Sequence, residues 1–206
     1  MPQQAMSPRP YRLGQRQVAS EPTRGRIVEA ARELLASPDG LDEFTVEAVA
    51  RKAKVARMTV YYQFGSRAGL LEAIFDDLAA RGGMWDLPDT FKQPDALAAL
   101  SEFVAVFVRF WASQRLIIRR LQVLTALDPE LQKVSRDEWR RQGLQVILGR
   151  TAEQVGRPAP ESMAGAVDVL QMLTSFQVFD QLASTRSPEE VTRLLQELGR
   201  AAVGLG

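Results

Sequence analysis

Residues 44–71 read FTVEAVARKAKVARMTVYYQFGSRAGLL. Val46, Val49, Ala50 and Ala53 recur there at three- and four-residue spacing, the period of one helical face. Thr45 stands ahead of them as an N-cap, with Glu47 in the first turn, where a carboxylate suits the helix dipole. After a short break, Arg57 to Phe64 form a second, shorter helical segment, anchored by Val55 and Val60 and closed by Gly65-Ser66. Helix, tight turn and short helix make a helix-turn-helix. The first helix packs on its neighbours, and the second is short and exposed enough to enter a major groove. Arg57, Met58, Thr59, Tyr61 and Tyr62 lie in or near the exposed segment, with Arg51, Lys52, Lys54 and Arg67 around it. Basic side chains interleaved with aromatics and hydroxyls are what phosphate and base-edge contacts require.

Working outward, Ile27, Ala30, Ala31, Leu34 and Leu35 form the stripe of a preceding helix that starts at Thr23 and stops at Ser37-Pro38-Asp39-Gly40. Leu70, Leu71, Ile74, Phe75 and Leu78 stripe a following one, and Gly82-Gly83 and Pro88 mark a connection. Residues 1–22, rich in Pro, Gln, Ser and Arg, read as a flexible leader. The expected division is leader 1–22, helix-turn-helix domain 23–81 and a larger helical domain 82–206. Residues 1–70 carry 11 Lys+Arg against 7 Asp+Glu, whereas residues 71–206 carry 15 against 18. The basic excess therefore sits with the helix-turn-helix.

The second part is helical throughout. A segment near 95–112 is apolar on nearly every side and is therefore buried. Helices near 115–127, 129–155 (capped by Asp128-Pro129, stopped by Gly156 and Pro158), 160–183 and 188–203 follow, the last opened by the capping box Ser187-Pro188-Glu189-Glu190. No strand pattern occurs, so the fold class is all-α, with about nine helices.

The apolar fraction of 46% and charged fraction of 25% are those of a globular protein. With no cysteine and no histidine, disulfides, thiolate metal sites and histidine acid–base chemistry are excluded. No glycine-rich phosphate loop or paired acidic metal motif occurs, and no cofactor or metal is expected. The absence of an apolar run near the start, or of any 18-residue one, leads to the expectation of a cytoplasmic protein with no membrane partner.

Phe44-Thr45-Val46, Val49-Ala50, Ala53, Val55, Thr59 to Arg67 and Leu70-Leu71 resemble the TetR (tetracycline-repressor-like) family of bacterial regulators over residues 24–75. The resemblance implies that Thr45 caps its helix and touches phosphate. It implies that Arg57 and Thr59 face base edges, that Tyr61 and Tyr62 contact phosphate or sugar, and that Arg67 reaches phosphate. The DNA-binding set is thus Thr45, Lys54, Arg57, Met58, Thr59, Tyr61, Tyr62 and Arg67. Two departures stand out: Lys54 replaces the family's usual turn glycine, and Ala56 replaces the usual hydroxyl cap. Arg9, Arg12 and Arg16 are either a minor-groove arm or an inert leader.

The family dimerises through its last helices, and two stripes on 160–183 and one on 188–203 suit this. The expected interface is Val169, Phe179, Val191, Leu195 and Leu198; the alternative is that both stripes are filled within one subunit. Phe103, Phe107, Phe110, Trp111, Trp139, Met172 and Phe176 either line a ligand cavity, with Glu102, Arg109, Gln122, Gln171 and Gln177 as polar groups, or fill a core. The leading expectation is a homodimeric repressor released from a pseudo-palindromic double-stranded operator by a small hydrophobic ligand. The alternatives are a regulator controlled by a protein partner and, more remotely, a helical enzyme.

Overall fold

The computed structural model describes residues 13–126, 137–155 and 164–204. It divides after Leu70 into two units. Among the described residues all regular structure is helical: α1 (Leu13–Ala36), α2 (Val46–Lys52), α3 (Arg57–Phe64), α4 (Arg67–Arg81), α5 (Leu87–Thr90), α6 (Ala96–Ser113), α7 (Arg115–Ala126), α8 (Asp137–Val155), α9 (Ala164–Leu173), α10 (Phe176–Leu182) and α11 (Pro188–Ala202).

In the first unit α1, α2 and α3 pack on one another. Ile27, Ala31 and Leu35 of α1 are fully buried, as is Val49 of α2, and Val46, Ala48 and Ala50 are nearly so. Small α2 side chains let the helices approach closely, and Lys52 reaches Glu33 of α1 at 2.9 Å. α1 begins ten residues before Thr23, so residues 13–22 of the expected leader are helical, with Pro22 inside the helix. The apolar stripe marks the turns that have something to pack against; it does not mark where a helix starts. Residues 1–12 lie outside the described residues, as do Asp128-Pro129, Gly156 and Pro158.

The second unit is built around α6, which packs against α5, α7, α8, α10 and α11. Ten of its eighteen residues are buried, among them Phe103, Phe107, Phe110 and Trp111. By length and composition α6 is apolar enough to cross a membrane, but here its apolar sides are covered by its neighbours. Its N-terminus is held from α8. Gln154 accepts from the Ala96 N–H at 2.9 Å and donates to the Pro94 carbonyl at 2.9 Å. Arg150 donates to the carbonyls of Phe91, Gln93 and Pro94. Gly143 on α8 makes room for rings: a Cβ there would lie 3.0 Å from Phe103 and 3.2 Å from Phe91. Gln196 of α11 donates to the Ser101 carbonyl at 2.9 Å.

Among the described residues eleven α-helices stand where about nine were expected, for two reasons. α5 is a single short turn in the connection after α4, opened by Leu87-Pro88. The expected 160–183 helix is broken at Thr174-Ser175. The Thr174 hydroxyl bonds back to the Leu170 carbonyl at 2.8 Å. Ser175 is extended (φ −73°, ψ 155°) and caps α10 by accepting from the Val178 N–H. Hydroxyl side chains that bond the backbone compete with a continuous helix in this way. The Ser187 capping box is present, with both reciprocal hydrogen bonds made.

α10 is clamped to α7 by charge. Asp180 accepts from Arg115 Nε at 2.6 Å and from Arg119 Nη2 at 2.6 Å, and Arg115 also donates to the Asp180 and Ala183 carbonyls. Burial opposes ionisation of Asp180, but the hydrogen bonds and charges of the two arginines prevail and hold its carboxyl below the ordinary value. A lowered folded pKa stabilises the fold above the unfolded carboxylate value and loses that contribution as pH falls through the folded value. Asp180→Asn should therefore cost about 1–3 kcal/mol near pH 7. In denaturant titrations the difference from wild type should shrink below about pH 4; a pH-independent difference contradicts the assignment.

Candidate functional site

The α2–turn–α3 segment is shaped by its backbone caps. Thr45 Oγ1 accepts from the Ala48 N–H at 3.1 Å and opens α2. α2 closes with the Val55 N–H on the Ala50 carbonyl at 3.0 Å and the Lys54 N–H on the Arg51 carbonyl at 3.2 Å. This is the Schellman pattern, and its C′ position is normally glycine because it is left-handed. Lys54 occupies it at φ 56°, the one non-glycine residue with positive φ among those described. The Lys54 side chain is exposed beside the turn.

α3 then starts at Ala56, which offers no side-chain cap. The helix buries Val60 and Phe64 and leaves Met58 72% and Tyr62 80% exposed. Arg57 is exposed, while Thr59, Tyr61 and Arg67 are half-buried. Arg57 pairs with Glu47 at 2.9 Å and donates to the Tyr61 hydroxyl at 3.3 Å. That hydrogen bond, with the Glu47 charge, raises the guanidinium pKa further. Both contacts are at the surface and worth little, so the side chain is easily redirected. The eight expected DNA-facing residues thus all fall on α3, the turn before it, the α2 cap or the first residue of α4. Met58 and Tyr62, one turn apart, form a bare apolar and aromatic face.

Two supports of α3 have no signal in apolar periodicity. Arg24 of α1 lies 4.4 Å over the Phe64 ring and donates to the Gln63 carbonyl at 2.7 Å. Gly69 lets the start of α4 close on the end of α3, since a Cβ there would lie 2.1 Å from the Phe64 carbonyl oxygen. Ser66 caps α4 by accepting from the Gly69 N–H at 3.0 Å.

The second unit contains a cavity of about 1210 Å³. Phe103, Phe107, Phe110, Trp111, Trp139 and Phe176 line it, with Phe75, Phe91, Met84 and Leu121. The rings run in sequence: Phe103–Phe107 at 4.9 Å, Phe107–Trp111 at 5.9 Å and Trp111–Phe176 at 5.6 Å between centroids. The Trp111 indole N–H donates to the Thr174 carbonyl at 3.0 Å and fixes that ring. Trp139 lines the cavity yet is 81% exposed. Met172 does not line it; it is 56% exposed on the surface. Of the expected polar groups, Gln122 and Gln177 line it. Glu102 and Arg109 instead form a surface cluster with Asp86, and Gln171 accepts from Arg141. Arg140, absent from the expected lining, is in the wall.

Of the expected interface residues, Val169 and Leu198 are on the surface, 39% and 43% exposed. Phe179, Val191 and Leu195 are buried at 0–1% exposure within the subunit. Val167, Leu170 and Leu173 of α9 are buried where α9 packs on α8 and α11, and the break at Ser175 places Phe176 and Phe179 on α10, which packs on α6.

Residues 27–74 match the family model described as bacterial regulatory proteins, tetR family. No curated protein matches the chain by sequence. Similar solved structures include a TetR-like transcriptional regulator from Rhodococcus sp. RHA1 (TM-score 0.64, 18% identity, 88% of this chain and 96% of that one). The TetR-family regulator PfmR from Thermus thermophilus gives a TM-score of 0.59 at 19% identity, over 87% and 97%. NalD from Pseudomonas aeruginosa, the secondary repressor of the MexAB-OprM multidrug efflux pump, gives 0.59 at 22%, over 89% and 96%. These likenesses extend over both units and establish the fold.

The left-handed Lys54 carries a conformational cost that glycine does not. Lys54→Gly should raise stability by up to about 1 kcal/mol in thermal or denaturant unfolding. A loss of stability contradicts the assigned turn.

Proposed function

We propose that the chain is a DNA-binding transcriptional regulator of the tetR family, whose model matches residues 27–74, and that it is a homodimeric repressor released from a pseudo-palindromic operator by a small, largely apolar ligand. The observation that carries this reading is the presence in one chain of an exposed, eight-residue α3 and of a 1210 Å³ cavity walled by aromatic rings. Ordinary ligand pockets run to about 300–1,000 Å³ and are mostly apolar with a few polar groups. We read the chain as a regulator rather than an enzyme, acting in the cytoplasm, where bacterial DNA lies.

On this reading α3 enters the major groove with Arg57, Met58 and Thr59 toward base edges, while Thr45, Lys54, Tyr61, Tyr62 and Arg67 contact the backbone. Two copies associate through the apolar residues left exposed on α9 and α11, Val169, Met172 and Leu198. NalD, of similar fold, is a repressor, which favours repression over activation. The ligand biases the dimer between two states by the difference in its affinity for them.

Arg67→Ala should weaken binding to every duplex alike and lower the salt slope by about one. Thr59→Ala should instead change the preference at particular base pairs. Gel-shift titrations over a range of salt, on a selected operator and its single-base variants, distinguish the two. Wild-type behaviour in both variants overturns the docking of α3. For sensing, a compound that releases the operator should also raise the melting temperature, and Phe107→Trp should block it while operator binding persists. Release without a thermal shift and undiminished in the variant overturns the cavity as sensor.

A further inference from the structure

One charged side chain stands desolvated in the cavity wall. Arg140 of α8 is 8% exposed and is the one buried charged residue among those described. Its partners account for only part of it. Nη2 donates to Asp137 at 2.9 Å, and the Asp137 side chain is itself 63% exposed. The guanidinium lies 5.9 Å over the Phe107 ring. Nε is buried and has no hydrogen-bond partner among the described residues. Burial pulls the pKa of Arg140 below its ordinary value, against the opposing pull of Asp137, yet a guanidinium remains charged in proteins.

A desolvated cation is costly to a fold, and replacing such a group by an apolar one of similar size is often neutral or stabilising. A buried N–H with no acceptor adds to that cost. The arrangement is unfavourable for the empty protein and favourable for a protein whose cavity receives an acceptor. The other charged lining residues, Glu72 and Asp137, are exposed and solvated. Arg140 is the desolvated one, so its charge is the least screened toward the cavity. Among the described residues Arg140 is the one cation in the wall, and Asp137 engages it at Nη2, so it can take one further singly charged acceptor more readily than a doubly charged phosphate. The remainder of the wall is largely apolar, with eight aromatic residues.

Resting on the reading of the cavity as the sensing site, we propose that its ligand is an amphipathic monocarboxylate. The apolar body lies against Phe103, Phe107, Trp111 and Phe176, and the carboxylate pairs with the Arg140 guanidinium. The apolar wall then selects for size and shape, and Arg140 selects for the acid over its neutral derivatives.

Two matched pairs test this: 2-naphthoate against 2-naphthamide, and decanoate against decanamide, titrated calorimetrically into the full chain. At least one acid should bind wild type about tenfold or more tighter than its amide, the preference should fall to about twofold in Arg140→Met, and Arg140→Lys should recover part of it. Without any ligand, Arg140→Met should melt no lower than wild type, because Asp137 stays hydrated when its partner is removed. Loss of a purely structural arginine would instead lower the melting temperature, and that outcome counts against the proposal. Equal affinity for acid and amide in wild type, or a preference that survives in Arg140→Met, overturns the anion anchor and leaves the apolar cavity site standing. Tighter binding of 2-naphthyl phosphate than of 2-naphthoate overturns the monocarboxylate class. Binding of neither member of either pair overturns the proposal and the cavity site together.

Discussion

Eight residues are too few for a helix to persist in water on its own propensity, because the cost of nucleation is spread over so few hydrogen bonds. α3 is eight residues long and has no side-chain N-cap. Its existence therefore depends on burying Val60 and Phe64. The first unit is organised around that requirement. α2 presents small residues so that its neighbours come close, the Schellman turn at Lys54 sets the angle of departure, and Arg24 stacks on Phe64. Gly69 allows α4 to begin where α3 ends. With Val60 and Phe64 buried, Arg57, Met58 and Tyr62 remain exposed on the outer face of α3, while Thr59 and Tyr61 are half-buried.

The second unit answers a different requirement. α6 supplies a continuous line of aromatic rings, which forms one wall of the cavity. The break at Thr174-Ser175 matters here. It provides the carbonyl that fixes the Trp111 indole, and it starts α10 with Phe176 against the same ring. The clamp of Asp180 by Arg115 and Arg119 then holds α10 in place. A cavity whose walls are tied to hydrogen-bonded helix ends is suited to discrete rearrangement, since packed elements shift between alternatives more readily than they deform.

The parts of the fold written in local rules were legible. The α2 stripe, the Thr45 cap and the Ser187 capping box each follow from a few adjacent residues, and each is present. The parts that depend on distant neighbours were not legible. An apolar stripe says that a face is covered; it does not say by what. Phe179, Val191 and Leu195 have the spacing of an interface, but the chain itself covers them, while Met172 is left exposed. The break at Ser175 left no proline or glycine to betray it. Arg140 was invisible because an arginine between Trp139 and Arg141 looks like any solvated helix face, and only the packing of α8 on α6 buries it.

The central claim is that α3 reads DNA in the major groove and that two copies do so together. Hydroxyl-radical footprinting of the wild-type protein on an operator selected from random duplex tests it most directly. The account predicts two symmetry-related protected tracts, their centres separated by about one helical turn (about 10–10.5 base pairs) or a multiple of it. Methylation of guanine N7 within those tracts should interfere with binding. A single asymmetric tract, or protection confined to the minor groove, would contradict it.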